Sequence, residues 1–537
     1  MSGSSSKFDD LLTQLGTGRW NLLYFLTSSY WCLLVPPQFI SGVYLAPAIN
    51  YTCRPPESED SVHVSRDSCY YSINKSSLVG VEEEEPCTEW DFDTSVFSTT
   101  LTSEFSLVCG REHLRATYQG VYMLGTFLSP LLGGYLADRY GRWKVVMATQ
   151  VVTVITAISQ CFIHSFMFIL VLRFFMGSVN LLTLFIFALE VCEPKHRALV
   201  GILTGLPWAL GTMLWGALAY CIRDWRWLQA AVSFPILLIL IPIYFLDESP
   251  RWLIVNGHHD KALLVLQRAS RWNKATLPPE EDLRALMRNV QEESSMPVKV
   301  KEAAHEGLEV TKKHCRSPRL PGLISTRAIT VVTVVVCLDY FAVSLVFDGL
   351  NLSGDNYSAD PFLYIVLGGL MEVPGYTLTA PAIDRWGRRM PTALSYILCG
   401  ILLLALAFIP PDMSWLVMTL AMAGKVCISG AFQLIYVYSS ELFPTEVRLQ
   451  GIGAASVLAQ LASTILPYIT TFLGPLVPWA PSVIFAGVSL ASGVITLVLH
   501  ETAGKALPDT ITDLTHIRSL KNQEENVDPS EIEKIAT

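Results

Sequence analysis

Long apolar runs broken by short polar turns dominate this chain. The first covers 22–46. After a polar segment at 47–115, five more follow near 116–137, 145–163, 166–192, 198–221 and 227–246. A second polar segment occupies 247–327, and six further runs lie near 328–349, 360–382, 392–410, 415–438, 449–472 and 479–500. About 20 apolar residues suffice for a helix to cross a bilayer. The pattern therefore predicts an all-α membrane protein of twelve spans in two six-helix halves, 22–246 and 328–500. Residues 1–21 and 501–537 are polar ends, the latter expected to be disordered at its end. Because residues 1–20 are polar and the first run is long, that run is expected to remain as the first span instead of being cleaved as a signal. Within 247–327, the stretch from Pro279 to Glu293 reads as mixed-charge helix. It lies between basic groups at Lys261, Arg268, Arg271 and Lys274 and a second set at Lys299, Lys301, Lys312, Lys313, Arg316 and Arg319.

Composition agrees. The 537 residues are 51% hydrophobic and 16% charged, with a mean hydropathy of +0.40, against roughly 25% charge in soluble proteins. The net charge of −9 adds little, because acidic residues gather in 47–115 and the tail. The 47–115 segment holds Cys53, Cys69, Cys87 and Cys109, the acidic run Glu82–Glu85, and the sequons that begin at Asn50 and Asn74. Four cysteines allow three pairings, and the spacing does not choose among them. Cysteines with glycosylation sequons belong to an oxidising compartment, which places 47–115 outside the cell. The short-loop cations Arg139, Arg142, Lys144, Lys195, Arg197, Arg385, Arg388, Arg389 and Arg448 all follow even-numbered runs. By the positive-inside rule those loops, and both termini, are cytoplasmic. The two arguments agree.

One motif recurs. Asp138-Arg139-x-Gly141-Arg142 lies between the second and third runs, and Asp384-Arg385-x-Gly387-Arg388 lies at the matching place in the second half. A charged turn repeated once per half marks a duplicated bundle. The stretch G-x-L-A-D-R-x-G-R-x-K resembles the loop motif of the major facilitator superfamily of transporters. Other stretches resemble, within it, the organic cation, organic anion and carnitine transporters (solute carrier family 22). These are Asp9-Asp10 before Trp20, the large first external loop, IRDWRWLQ at 222–229, ESPRWL at 248–253, ELFPTEVR at 441–448, and Glu501-Thr-x-Gly-x-Ala-Leu-Pro508. The resemblance covers about residues 8–515. It implies the twelve-helix major facilitator fold, solute transport by alternating access, a plasma-membrane location and no enzymatic activity. Pro250 and Pro444 end helices at the cytoplasmic face. Arg251, Glu441 and Arg448 are expected to form charge pairs there that break and remake as helices move, and Glu190 and Glu248 are expected to act in the same gating machinery.

Ionisable residues at mid-membrane are costly and usually functional. Glu372 lies mid-run beside Pro374 and Gly375, and Lys425 is followed on its own helical face by Ser429, Gln433 and Tyr436. A Glu372–Lys425 ion pair that only fixes packing is the structural alternative. By the resemblance, Glu372 stands where cation and carnitine carriers have glutamate, and Gln433 and Lys425 match the same family's tenth helix. Gln460 stands where family members carry aspartate or arginine, and supplies hydrogen bonds without charge. Trp208, Tyr340 and Phe347 match aromatic positions and are expected to cage an amine by cation–π attraction, worth about 0.5–2 kcal/mol. Asp348 is expected to cap the outer end of its helix in water or, as the alternative, to attract cations at the outer vestibule. The fourth run departs from the family, reading LLTLFIF at 181–187.

The chain has no phosphate-binding glycine loop and no metal-spaced Cys/His cluster, so no cofactor is called for. Transport would draw on a Na⁺ or H⁺ gradient or on the membrane potential. The expected partners are a small organic cation or zwitterion and the bilayer. Nucleic acid has no part in this reading, and the chain is taken as a monomer. Three functions remain: a polyspecific carrier of amine-bearing cations or zwitterions such as a betaine or amino-acid derivative, an organic anion carrier, and a non-transporting receptor or scaffold. Glu372 argues against the second, and two intact loop motifs argue against the third.

Overall fold

The computed structural model describes residues 7–54, 62–64, 69–74, 82–179, 183–196, 200–201, 203–295, 323, 325–357, 360–410, 413–444 and 447–504. Arg197, the basic residues from Lys299 to Arg319 and the tail beyond 504 lie outside them.

Each apolar run is helical. A short amphipathic helix α1 (Lys7–Leu15) precedes α2 (Arg19–Phe39). The N-terminal half continues through α3 (His113–Tyr140), α4 (Arg142–Ser159), α5 (Phe166–Val179), α6 (Thr183–Glu190), α7 (Gly205–Cys221), α8 (Trp225–Leu238) and α9 (Leu240–Phe245). Among the described residues, three helices lie between the halves: α10 (Pro250–Val255), α11 (His259–Asn273) and α12 (Glu280–Ser295). The C-terminal half comprises α13 (Arg327–Leu352), α14 (Pro361–Trp386), α15 (Arg389–Ala407), α16 (Ser414–Leu442), α17 (Arg448–Leu476) and α18 (Ala480–Thr496). Among the described residues, six helices are by themselves long and apolar enough to cross a bilayer: the continuous α8–α9 stretch and α13 to α17. The others are shorter, less apolar, as α2 is, or bent, as α3 is near Pro130, where a missing backbone donor loosens the ladder.

Local chemistry fixes the helix starts. Asp224 accepts from the backbone of Arg226 and Trp227, and Asp360 from Phe362 and Leu363, with Pro361 in the first turn. Ser249 caps α10 in the same way. The two loop motifs need their glycines. Gly141 and Gly387 have φ of +104° and +78°, in the region that favours glycine. A Cβ would also lie 2.3 Å from Glu248 Oε2 at the first, and 2.7 Å from the Glu501 carboxylate at the second.

The polar N-terminus is more ordered than its composition suggests. Phe8, Leu11, Leu12 and Leu15, spaced as one helical face, are buried in the same core as Leu266, Ala269, Leu283 and Met287 of α11 and α12. Asn273 ties the joint: its side-chain amide donates to the carbonyls of Leu15 and Gly16, and its Oδ1 accepts from Trp20 N. The predicted helix at Pro279–Glu293 is α12.

The 47–115 segment folds into two small antiparallel sheets. One pairs β1 (Tyr51–Cys53) with β5 (Trp90–Phe92), and the other orders β2 (Val62–Val64), β3 (Tyr70–Asn74) and β4 (Glu82–Pro86) as β2-β3-β4. The cysteines pair Cys53–Cys87 and Cys69–Cys109. Asn50 is exposed just before β1, and Asn74 ends β3 opposite Glu82.

Candidate binding site at mid-membrane

α14 and α16 approach closely because Gly375 has no side chain. A Cβ there would lie 2.8 Å from Ser429 Cβ and 2.9 Å from the Val426 carbonyl. One turn earlier on α14, Glu372 meets Lys425 at 3.0 Å, both side chains almost wholly buried. Lys425 Nζ also donates to Asn351 Oδ1 at 2.8 Å and sits 3.6 Å above the centre of the Phe347 ring. Tyr376 donates to Glu372 Oε2 at 3.3 Å. Burying an ion pair costs solvation that only close geometry and further hydrogen bonds offset. Here both are present.

A second acid joins the pair. Asp348 is buried, accepts from Ser463 Oγ at 2.5 Å, and interacts electrostatically with Lys425. Its expected role as a solvated helix cap is therefore wrong, because α17 covers it. Two carboxyl groups therefore share the neighbourhood of one ammonium. Asn351, Tyr376 and Ser463 were not picked out from sequence. Nothing in their composition marks them, and only helix packing brings them in.

The aromatics form a string. Phe347 contacts Phe432, Phe432 contacts Tyr436, and Tyr436 contacts Tyr340, with ring centres 5.4, 5.3 and 5.1 Å apart. Phe347 already carries the chain's own ammonium on its face. Tyr340 is buried and hydrogen-bonds Ser439 at 2.9 Å, whereas Tyr436 is 40% exposed. Gln433 is half-buried and reaches α7 of the other half, where a Cβ on Gly205 would meet its amide at 3.1 Å. Gln460 accepts from Thr126 of α3 at 2.8 Å, another bond between halves. Trp208 packs edge-on against Phe39, ring centres 5.5 Å apart.

Two charged residues escaped the sequence reading, although each lies well inside an apolar run. Arg173 in α5 is fully buried, 4.6 and 4.3 Å from the rings of Tyr118 and Tyr122, and donates to the Gln38 carbonyl near the end of α2. Asp339 is fully buried in α13.

The repeated loop motifs build matching ion-pair clusters. Arg142 pairs with Glu190 at 3.1 Å and with Asp138 at 2.6 Å, while Glu248 accepts from the backbone of Arg142 and Trp143. Ser249 Oγ donates to Glu190. In the other half Arg388 pairs with Glu441 at 3.0 Å, Glu501 accepts from the backbone of Arg388 and Arg389, and Thr502 donates to Glu441. Of the residues expected to form charge pairs here, Glu441 does so with Arg388, and Arg448 donates to the Phe443 carbonyl. Arg251 is exposed, and among the described residues no ion pair of its own is found. Asp384, Arg385 and Arg139 are also exposed, with Arg139 bonded to Tyr135.

The halves meet from the disulfide-bearing end down to mid-membrane. Tyr44 stacks on Phe362 at 5.4 Å and donates to the Pro361 carbonyl at 3.0 Å. Phe97 and Tyr220 pack around the same ring. At the opposite end the ion pairs described above run within each half.

Comparison with known proteins gives consistent matches. The family model "Sugar (and other) transporter" matches residues 86–512. The organic cation transporter protein of Drosophila melanogaster is 29% identical over 529 residues, covering 94% of each chain. The human organic cation/carnitine transporter 2 is 27% identical, also over 94% of each. Solute carrier family 22 member 6 of Oryctolagus cuniculus is 31% identical over 84% of this chain and 79% of the relative. Among solved structures, the xylose transporter XylE from E. coli in a partially occluded inward-open conformation aligns with a TM-score of 0.61 at 16% identity. That alignment covers 91% of this chain and all of that one. The likeness establishes the fold.

Proposed function

Since the chain belongs to the sugar (and other) transporter family and, within it, to solute carrier family 22, we propose that it is a polyspecific secondary carrier of small organic cations or zwitterions. Its substrates are amines or quaternary ammonium solutes of carnitine-like chemistry, moved across the plasma membrane by alternating access of the two halves. The Arg-rich loops and both termini face the cytoplasm, and the disulfide domain with its sequons faces outward.

The observation that carries this reading is the buried mid-membrane pair of Glu372 and Lys425, with the carboxyl of Asp348 beside it. In the structure Lys425 occupies Glu372, Asn351 and the Phe347 face. An incoming ammonium takes over those contacts and displaces Lys425. Exchange of one buried cation for another avoids leaving a carboxylate unpaired, which would be expensive. A substrate carboxylate, where there is one, meets the displaced Lys425 and the amides of Gln433 and Gln460. Tyr436, on the Lys425 face of α16, lines the approach from the cytoplasmic side. The contacts of Tyr44 and Phe362 close the outer side in this state.

The test is competitive uptake in cells expressing the protein, using a quaternary cation, a carnitine-like zwitterion and an aromatic carboxylate, each with and without Na⁺. Cation or zwitterion uptake should dominate, and Glu372→Gln should abolish it with surface protein unchanged. Preference for the carboxylate, or a silent Glu372→Gln, would overturn the assignment.

A further inference from the structure

Asp339 lies midway along α13, with no side chain exposed to solvent. Its Oδ2 is 3.0 Å from Thr496 Oγ1 on α18, and its Oδ1 has no well-formed hydrogen bond among the described residues, although the Ser492 side chain lies toward the carboxyl. Among the described residues no lysine, arginine or histidine forms an ion pair with it. An ionised carboxylate offers about four acceptor sites, and burying it without a cation or a full set of donors is strongly unfavourable.

The Thr496 hydroxyl sharpens the point. It has one proton, and it lies 2.7 Å from the Ser492 carbonyl, which only accepts. With that proton committed to Ser492, Thr496 presents lone pairs to Asp339. A protonated Asp339 then donates its own O–H to Thr496, and the bond is satisfied in both directions. The Ser492 side chain is the one other polar group of α18 that faces the carboxyl.

The surroundings supply no competing charge. From α15 come Tyr396, whose hydroxyl donates to the Asp339 carbonyl at 2.9 Å, and Cys399. Cys337 and Tyr340 flank it on α13, and Tyr438 approaches from α16. α17 carries Arg448 and Tyr468, near opposite ends. Arg389, Glu441, Glu501 and His500 follow beyond Tyr438 toward the Arg-rich end.

We propose that Asp339 is a proton-binding site, loaded in the state seen here and unloaded elsewhere in the cycle, so that solute flux is tied to the proton gradient. This rests on the carrier reading above. The proton is taken from water on one side, held as the carboxyl O–H, and returned to water on the other, with no other bond changed. The coupling element is α13. Its Asp339 face packs on α15 and α18, and the same helix carries Tyr340, Phe347, Asp348 and Asn351 of the solute site. Loss of the proton leaves a bare charge between α13, α15 and α18, which favours their separation and the entry of water. The solute site moves with α13.

Two measurements on the purified full chain test this. Infrared spectra in detergent, without solute, should show a protonated-carboxyl C=O stretch in wild type that is missing in Asp339→Asn and shifted in Thr496→Val. In proteoliposomes holding a pH-sensitive dye, with tetraethylammonium and carnitine as probes, an inward proton gradient should raise wild-type uptake several-fold and acidify the lumen. Asp339→Asn should still exchange solute at equal pH while losing both responses. Superimposable infrared spectra for wild type and Asp339→Asn, or an unchanged gradient response in that variant, would overturn the proposal. If wild type moves neither probe, the carrier reading has failed, and the infrared result still decides the state of Asp339.

Discussion

At the residue scale, the decisive feature is a lysine held in a buried ion pair. Lys425 satisfies Glu372, Asn351 and the Phe347 ring in a site closed to water. Removing one partner of a buried ion pair costs about 3–5 kcal/mol, because the other charge is stranded, whereas removing both is far milder. Glu372→Gln alone should therefore lower thermal stability in detergent clearly. Glu372→Gln combined with Lys425→Met should recover most of that loss without restoring uptake. Equal melting temperatures for the single and double variants would mean that the pair is not stabilised as its geometry implies. The sequence pointed to Glu372 and Lys425 because each is a lone charge in an apolar run. It could not reveal that Asp348, one turn from water on a helical count, is roofed by Ser463 of another helix.

At the element scale, two charged turns are each locked by a distant carboxylate. Glu501, beyond the end of α18, shows the electrostatics most clearly. Partial burial raises its pKa, but backbone N–H groups of Arg388, Ala503, Arg389 and Thr502 outweigh that and hold it below the ordinary carboxylate range. A folded value below the unfolded one means that the stabilisation is complete above the ordinary carboxylate pKa and is lost as pH falls through the folded value. Glu501→Gln should thus melt earlier than wild type at neutral pH, and the gap should close in acid. A pH series of thermal unfolding checks it, and a gap that stays constant into acid would contradict this account. The repeated Asp-Arg-x-Gly-Arg text announced both turns. The carboxylates that seal them lie more than a hundred residues away in sequence, and folding alone brings them there.

For the whole molecule, the two halves close against each other at the disulfide-bearing end, with Phe362 lodged among Tyr44, Phe97 and Tyr220. A carrier that alternates must part these rings. Paired cysteines at Tyr44 and Phe362 should cross-link under oxidation, arrest solute flux, and release it on reduction. Undiminished flux in a fully cross-linked protein would show that this contact does not open during transport.

The sequence by itself determined what local physics fixes. Apolar length set the helices, the repeated turn set the twofold plan, and the family motifs set the class of carrier. Gly141 and Gly387 were legible as members of the repeated turn, but the positive φ and the close carboxylates that exclude side chains there came only with the structure. Other features depended on contacts between distant residues. The pairings Cys53–Cys87 and Cys69–Cys109, the docking of α1 on α11 and α12, and the partner of Glu441 were decided by the tertiary structure. So was the approach of Asp348 to Lys425. Each of these joins residues far apart in the chain, and hydrophobic periodicity carries no record of which faces meet.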